Sequence, residues 1–118
     1  MIQHVALEVE PSRVDECLRF YALIGFQQVE PPASLRQRAA WVEREGTQVH
    51  LLFADDPHAL PAGHVAVVVE DWQSALERLR EAGHEVDSRR EHWGSPRAYV
   101  RDPAGNLVEL MAFPPAAG

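Results

Sequence analysis

Residues 2–9 alternate His4, Ala6 and Glu8 with Val5, Leu7 and Val9, the two-residue period of a strand with one packed face. A covering helix is expected next. Val14, Cys17, Leu18, Tyr21 and Ile24 form one stripe, Ser12 stands as N-cap with Asp15 three residues on, and Gly25 supplies a left-handed stop. Three strands follow, over residues 26–30, 38–43 around Trp41, and 48–53, with Pro31-Pro32 as a break and Glu45-Gly46-Thr47 as a turn. Residues 54–63 carry two prolines and a glycine and read as a linker. The order then repeats. A strand over 64–69 leads to a helix capped by Asp71, carrying Ala75, Leu76, Leu79 and Ala82 and closed by Gly83. Strands follow over 85–87, 97–101 and, after the turn Asp102-Pro103-Ala104-Gly105-Asn106, over 107–113. The pattern predicts an α+β fold of two βαβββ modules in pseudo-twofold arrangement within one domain, 1–118: module 1 at 1–53, linker 54–63, module 2 at 64–113 and a tail at 114–118.

The repeat also extends to chemistry. His4-Val5-Ala6-Leu7 recurs as His64-Val65-Ala66-Val67, and each copy leads to a second ligand type, His50 after 46 residues and Glu109 after 45. A pseudo-twofold fold would bring these four side chains to one centre. Three imidazoles and a carboxylate suit Zn, Fe(II), Mn, Ni or Co, and softness does not choose among them. Without His50, the set His4, His64 and Glu109 is a two-histidine, one-carboxylate site with open positions. Any one of these histidines, taken alone, reads first as a strand residue making an ordinary hydrogen bond; four ligand types at equivalent positions shift the reading to a metal site.

Composition narrows the partners. A net charge of −7 disfavours nucleic acid, whose phosphates call for clustered Lys and Arg. No run of some 18 apolar residues occurs and no basic segment precedes an apolar one, so a cytoplasmic protein with no membrane partner is expected. The one cysteine, Cys17, sits among apolar residues at helical spacing and is expected in the core.

Beyond these readings, the chain resembles the vicinal oxygen chelate superfamily, which holds glyoxalases, bleomycin-resistance proteins and extradiol dioxygenases. The resemblance is carried by both His-Val-Ala openings, by Ala22-Leu23-Ile24-Gly25-Phe26, and most specifically by Tyr99-Val100-Arg101-Asp102-Pro103-Ala104-Gly105-Asn106-Leu107-Val108-Glu109-Leu110. It implies modules whose strands form a cup-shaped sheet around a divalent metal ion, and a homodimer. His4 matches the first-strand ligand, His64 the first ligand of the second module, and Glu109 the last-strand carboxylate. His50 stands where glyoxalase I commonly has a glutamate.

Two functions from different classes follow. The first is a metal-dependent enzyme that binds a small-molecule substrate through vicinal oxygens, with lyase, isomerase or dioxygenase chemistry and Glu109 or Glu8 as base. The second is a metal-free, bleomycin-resistance-like binder of a small molecule or drug. Substrate contacts are expected from Trp41, Phe53, His92, Trp93, Arg97 and Tyr99, each of which is also compatible with core or surface. Arg36 and Arg38 join Arg97 as candidates for clamping an anion.

Overall fold

The computed structural model describes residues 1–116, so the expected tail at 114–118 lies partly outside the described residues. The chain divides into two compact units, Met1–Ala59 with Pro103–Asn106, and Leu60–Asp102 with the segment from Leu107 onward. The second-half turn Pro103–Asn106, expected in the second module, thus groups with the first unit. There Asn106 Nδ2 donates to the Glu8 carbonyl at 3.0 Å.

In the first unit β1 (His4–Val9) is followed by α1 (Val14–Leu23), β2 (Gln27–Val29), β3 (Ala39–Arg44) and β4 (Thr47–Phe53). The sheet order is β1-β4-β3-β2, with β1 and β4 parallel and the other pairs antiparallel. In the second unit β5 (Val65–Val68), α2 (Trp72–Glu81), β6 (Asp87–Arg89), β7 (Arg97–Arg101) and β8 (Leu107–Met111) repeat it as β5-β8-β7-β6. These are the two βαβββ modules of an α+β fold.

Alternation assigns the faces. Val9, Val42, Val49 and Leu51 are buried in the first sheet, and Cys17, Phe20 and Tyr21 of α1 are buried with them. Each large apolar side chain so buried contributes about 1.5–3 kcal/mol. Phe20 stands edge-on to Tyr21 and Tyr21 edge-on to Phe26, at 5.0 and 6.2 Å between centroids. The second core repeats this with Val67, Ala98, Val100, Val108 and Leu110 beside Ala75, Leu76 and Leu79 of α2. Gly25 and Gly83 both take positive φ, 96° and 91°, which lets the chain leave each helix without a Cβ clash.

Several boundaries differ from expectation. Ser12 is not a cap: Pro11, whose fixed φ suits a first turn, starts a 3-10 turn over Pro11–Arg13 that places Ser12 inside it, exposed. Arg13 then occupies the N-cap of α1 without a side-chain capping bond. Asp71 holds the N-cap position of α2 but its carboxylate makes no capping bond. Phe20 joins the buried stripe of α1, while Ala82 of the expected α2 stripe is exposed. The strand expected at 85–87 forms at Asp87–Arg89, where all three residues are exposed and register against β7 replaces hydrophobic alternation. No helix of the described residues is long and apolar enough to cross a membrane.

Candidate functional site

Opposite the helix-covered face, each sheet carries a row of chemistry-bearing side chains. In the second unit Ala66, Glu109, Tyr99 and Asp87 lie side by side across β5, β8, β7 and β6. His64 precedes β5 on the same face. Its Nε2 lies 2.9 Å from Glu109 Oε1, and its Nδ1 lies 2.8 Å from the Ala62 carbonyl.

A carbonyl oxygen only accepts, so Nδ1 carries a proton and the lone pair of a neutral ring is on Nε2. That lone pair faces a carboxylate oxygen, another acceptor. The 2.9 Å contact is therefore a hydrogen bond, with its proton on Nε2 or on the carboxylate. Metal-ligating imidazoles have one nitrogen fixed in this way by a backbone carbonyl; here the other nitrogen meets Glu109.

Glu109 is 6% exposed, and its charge is compensated on its other side. Its Oε2 accepts from Arg97 Nε at 2.9 Å. Arg97 gives Nη1–H to the Arg90 carbonyl at 2.6 Å and lies 5.9 and 5.6 Å from the Trp93 and Tyr99 ring centroids. The hydrogen bond to Glu109 raises the guanidinium pKa, so the cation is permanent.

In the first unit the equivalent row is Ala6, His50, Trp41 and Val29. Here the contacts are between ring faces. His50 lies between Trp41, 3.9 Å away and tilted 2°, and His4, 4.0 Å away and tilted 14°. His50 Nε2 bonds Gln48 Oε1 at 2.8 Å, and Gln48 Nε2 donates to Glu43 Oε1 at 2.8 Å. In this network His50 Nε2 is the donor and Nδ1 holds the lone pair. Burial, and after it the nearby His4, holds the His50 pKa below its ordinary value. His4 is exposed and its Nδ1 bonds Gln3 Oε1 at 2.7 Å. Lone pairs lie in ring planes, so two stacked, nearly parallel imidazoles aim theirs along separate planes. They do not converge on one point.

The four sequence-selected ligands thus occur as two pairs, His4 with His50 and His64 with Glu109. Among the described residues, no group of three or more His, Cys, Asp or Glu side chains is placed to hold a metal ion.

The other sequence-selected residues separate. Glu8 lies on the His4 face, where Oε1 accepts the His58 N–H at 2.9 Å and approaches His58 Nδ1 at 3.5 Å. Trp41 and Tyr99 stand in the two rows. Phe53 belongs to the other face of β4, in step with Val49 and Leu51, because it stands three positions, an odd step, after His50. His92 is exposed. Trp93 donates Nε1–H to the Phe113 carbonyl at 2.8 Å. Arg97, expected to meet an anion, already holds Glu109. Arg36 pairs with Glu30 at 3.3 Å, and Arg38 is exposed.

Three participants had not been singled out in the sequence. Gln48 and Glu43 form the chain to His50, and Gln48 was findable as the same-face neighbour two positions before it. Ser95 is fully buried: its Oγ accepts the N–H groups of Ala112 and Phe113, each at 3.0 Å, and donates to the Pro96 carbonyl. This ties the loop that carries Trp93 to the end of β8.

A groove of about 780 Å³ opens beside the His64–Glu109 pair in the second unit, lined among others by Ala62, Asp87, Arg89, Tyr99, Arg101 and Leu107. Tyr99 lies 5.3 Å from the His64 ring and under the Arg89 guanidinium at 4.9 Å. Its two arginines are matched by Glu85 and Asp87, so its charge selects neither cation nor anion.

Comparison with known proteins agrees with this frame. A family model described as the Glyoxalase/Bleomycin resistance protein/Dioxygenase superfamily matches residues 2–110. A curated relative, Glyoxylase I 4 of Arabidopsis thaliana, is 29% identical over 109 residues, covering 82% of this chain. The chain spans 63% of that relative's length. A glyoxalase family protein from Bacillus anthracis has the same fold with TM-score 0.85 and 26% identity, over 94% of this chain and 93% of that one. A variant of the fosfomycin resistance protein FosX from Listeria monocytogenes, complexed with Mn(II) and 1S,2S-dihydroxypropylphosphonic acid, shares the fold at TM-score 0.77 and 18% identity, over 97% and 90% of the two chains.

Proposed function

Because the chain belongs to the glyoxalase/bleomycin resistance protein/dioxygenase superfamily, we propose that it is a divalent-metal-dependent enzyme of the glyoxalase-like type. Its substrate is a small molecule bound through two adjacent oxygens. The proposed ligands are His64 and Glu109, joined by His4 and His50 once their rings leave the parallel stack. The observation that carries the reading is the His64–Glu109 pair, in which a ring nitrogen and a carboxylate oxygen lie 2.9 Å apart and the far nitrogen is fixed by the Ala62 carbonyl. A neighbour of this fold complexed with Mn(II) and a 1,2-dihydroxy acid supports it further.

A bound divalent cation would supply Lewis acidity toward the two substrate oxygens. The chain's own residues do the rest. The groove beside Tyr99 and Leu107 seats the substrate body. Arg89 and Arg101 stand at its wall for polar substituents. Glu8 on the His4 face, or Glu109 once released from the cation, takes up the proton that leaves a carbon next to the chelated oxygens. Trp41, Trp93 and Tyr99 are the proposed aromatic contacts with the substrate, joined by Arg97 and, from its exposed loop, His92. Phe53, on the helix-covered face, reaches the site only through the strand it stabilises.

The test is equilibrium binding of Mn(II), Co(II), Ni(II) and Zn(II) to the parent protein and to His64→Ala. The reading expects binding of at least one of them to the parent and a loss of more than about 100-fold in the variant, beyond what an outer-shell change produces. No binding to the parent refutes it.

One observation favours a second reading. The stacked His4, His50 and Trp41 rings form an aromatic surface whose imidazole lone pairs diverge, which suits a metal-free binder of a planar drug-like molecule. Under that reading His64→Ala leaves ligand binding unchanged.

A further inference from the structure

Glu43 and Gln48 stand opposite each other on β3 and β4, on the face that carries His50, and their hydrogen bonds run in one direction. A carboxylate only accepts, so the Gln48 amide nitrogen faces Glu43 Oε1, at 2.8 Å, and the amide oxygen is turned away from it. That oxygen lies 2.8 Å from His50 Nε2 and also only accepts, so Nε2 carries the hydrogen and Nδ1 keeps the lone pair. The tautomer of His50 is thus chosen at Glu43, one side chain removed from the ring.

The ring fixed in this way has one open position. Trp41 covers one face of His50 at 3.9 Å and His4 the other at 4.0 Å. Nδ1 makes no hydrogen bond among the described residues. No buried side-chain nitrogen or oxygen among them lacks a partner, so Nδ1 reaches solvent although His50 as a whole is 7% exposed. Both faces being covered, this lone pair is met only edge-on, by the hydrogen of a donor group lying in the ring plane. Leu52, two positions on along the same face of β4, is 40% exposed and offers apolar surface next to it. An acceptor of fixed tautomer beside apolar surface suits a hydroxyl on an apolar body, because no rearrangement of the ring opposes binding.

We propose that Gln48, aligned by Glu43, is the positioning residue that presents His50 Nδ1 as a hydrogen-bond acceptor for a hydroxyl group carried on an apolar ligand. The site belongs to the metal-free protein with His50 in its stack. It goes beyond the cation reading above and does not depend on it.

Long-range proton–nitrogen NMR of chelator-treated protein at about pH 8, where an ordinary histidine is neutral, reads the tautomer directly. The parent is expected to show His50 with Nε2 protonated and Nδ1 bare. Gln48→Lys replaces the acceptor by a group that only donates, which forces Nε2 to accept and moves the hydrogen to Nδ1. Glu43→Lys turns the Gln48 amide over and gives the same inversion, so it keeps the test available if the first variant does not fold. Phenol is the probe: it should move the bare Nδ1 resonance of the parent and saturate. Anisole, the same ring without a donor, should leave that resonance in place. In either inverted variant phenol should bind about 3- to 10-fold more weakly, the loss of one hydrogen bond. A parent with Nδ1 protonated, the parent's tautomer retained in both variants, or an Nδ1 resonance that phenol moves no more than anisole overturns the proposal. All of these are read without metal, so a failure of the parent to bind any cation removes the reading above and leaves this one standing.

Discussion

The two units share strand order, register and helix position, yet their equivalent rows solve different problems. Ala6, His50 and Trp41 stand where Ala66, Glu109 and Tyr99 stand, so one frame presents an imidazole in a stack of rings and the other a carboxylate in an ion network. The stack needs no countercharge. A carboxylate at 6% exposure does, and it finds Arg97 on one side and His64 on the other. A duplicated fold is thus indifferent to which group its central strand presents, provided the neighbours two residues away change with it. Chemistry has diverged in the rows while the apolar faces have stayed alike.

Exchanging the two solutions breaks the comparison most severely. His50→Glu puts a carboxylate at a buried position that has Ala39 where the other unit has an arginine. The metal-free protein should lose about 3 kcal/mol, read by denaturant unfolding, as expected for a buried carboxylate that lacks the arginine Glu109 has. A cost below about 1 kcal/mol would show that the first row tolerates charge and that the asymmetry is incidental. Next in size is Trp41→Ala. It removes a ring contact of about 1 kcal/mol beyond the lost burial and opens His50 to water, so NMR titration should find the His50 pKa closer to its ordinary value. The corresponding Tyr99→Ala change leaves His50 untouched.

The smallest effect is the pH dependence. Burial lowers the folded-state pKa of His50 below its unfolded value of 6.5, so between those values the unfolded chain binds the extra proton. Stability is present above pH 6.5 and declines as pH falls from there through the folded pKa. His50→Gln should flatten that part of the stability profile, and an unaltered profile would place the titration elsewhere.

Much of this was readable from the chain because alternation and glycine stops survive packing. Val5-Leu7-Val9 and Gly25 announce their roles locally, as do Val65-Val67-Val69 and Gly83. The Asp87–Arg89 strand does not, because an exposed edge needs no apolar face and takes its position from β7. Ser12 misled because Pro11 moved the turn earlier. At the site, the pairing of His64 with Glu109 follows from the repeat, whereas the Arg97–Glu109 bond depends on a register that no local pattern encodes. The stacking of His4 on His50 was equally hidden, since two histidines on one face are compatible with convergent or with parallel rings.

The central claim is that the His64–Glu109 pair belongs to a divalent metal site, and thermal unfolding with and without metal tests it most directly. At Mn(II), Co(II), Ni(II) or Zn(II) concentrations about 100 times the dissociation constant, the parent should gain roughly 2.7 kcal/mol, a rise in Tm of roughly 5–15 °C, for at least one of the metals. Glu109→Gln should gain little from the same addition. Equal shifts in parent and variant, or none in either, would contradict the account.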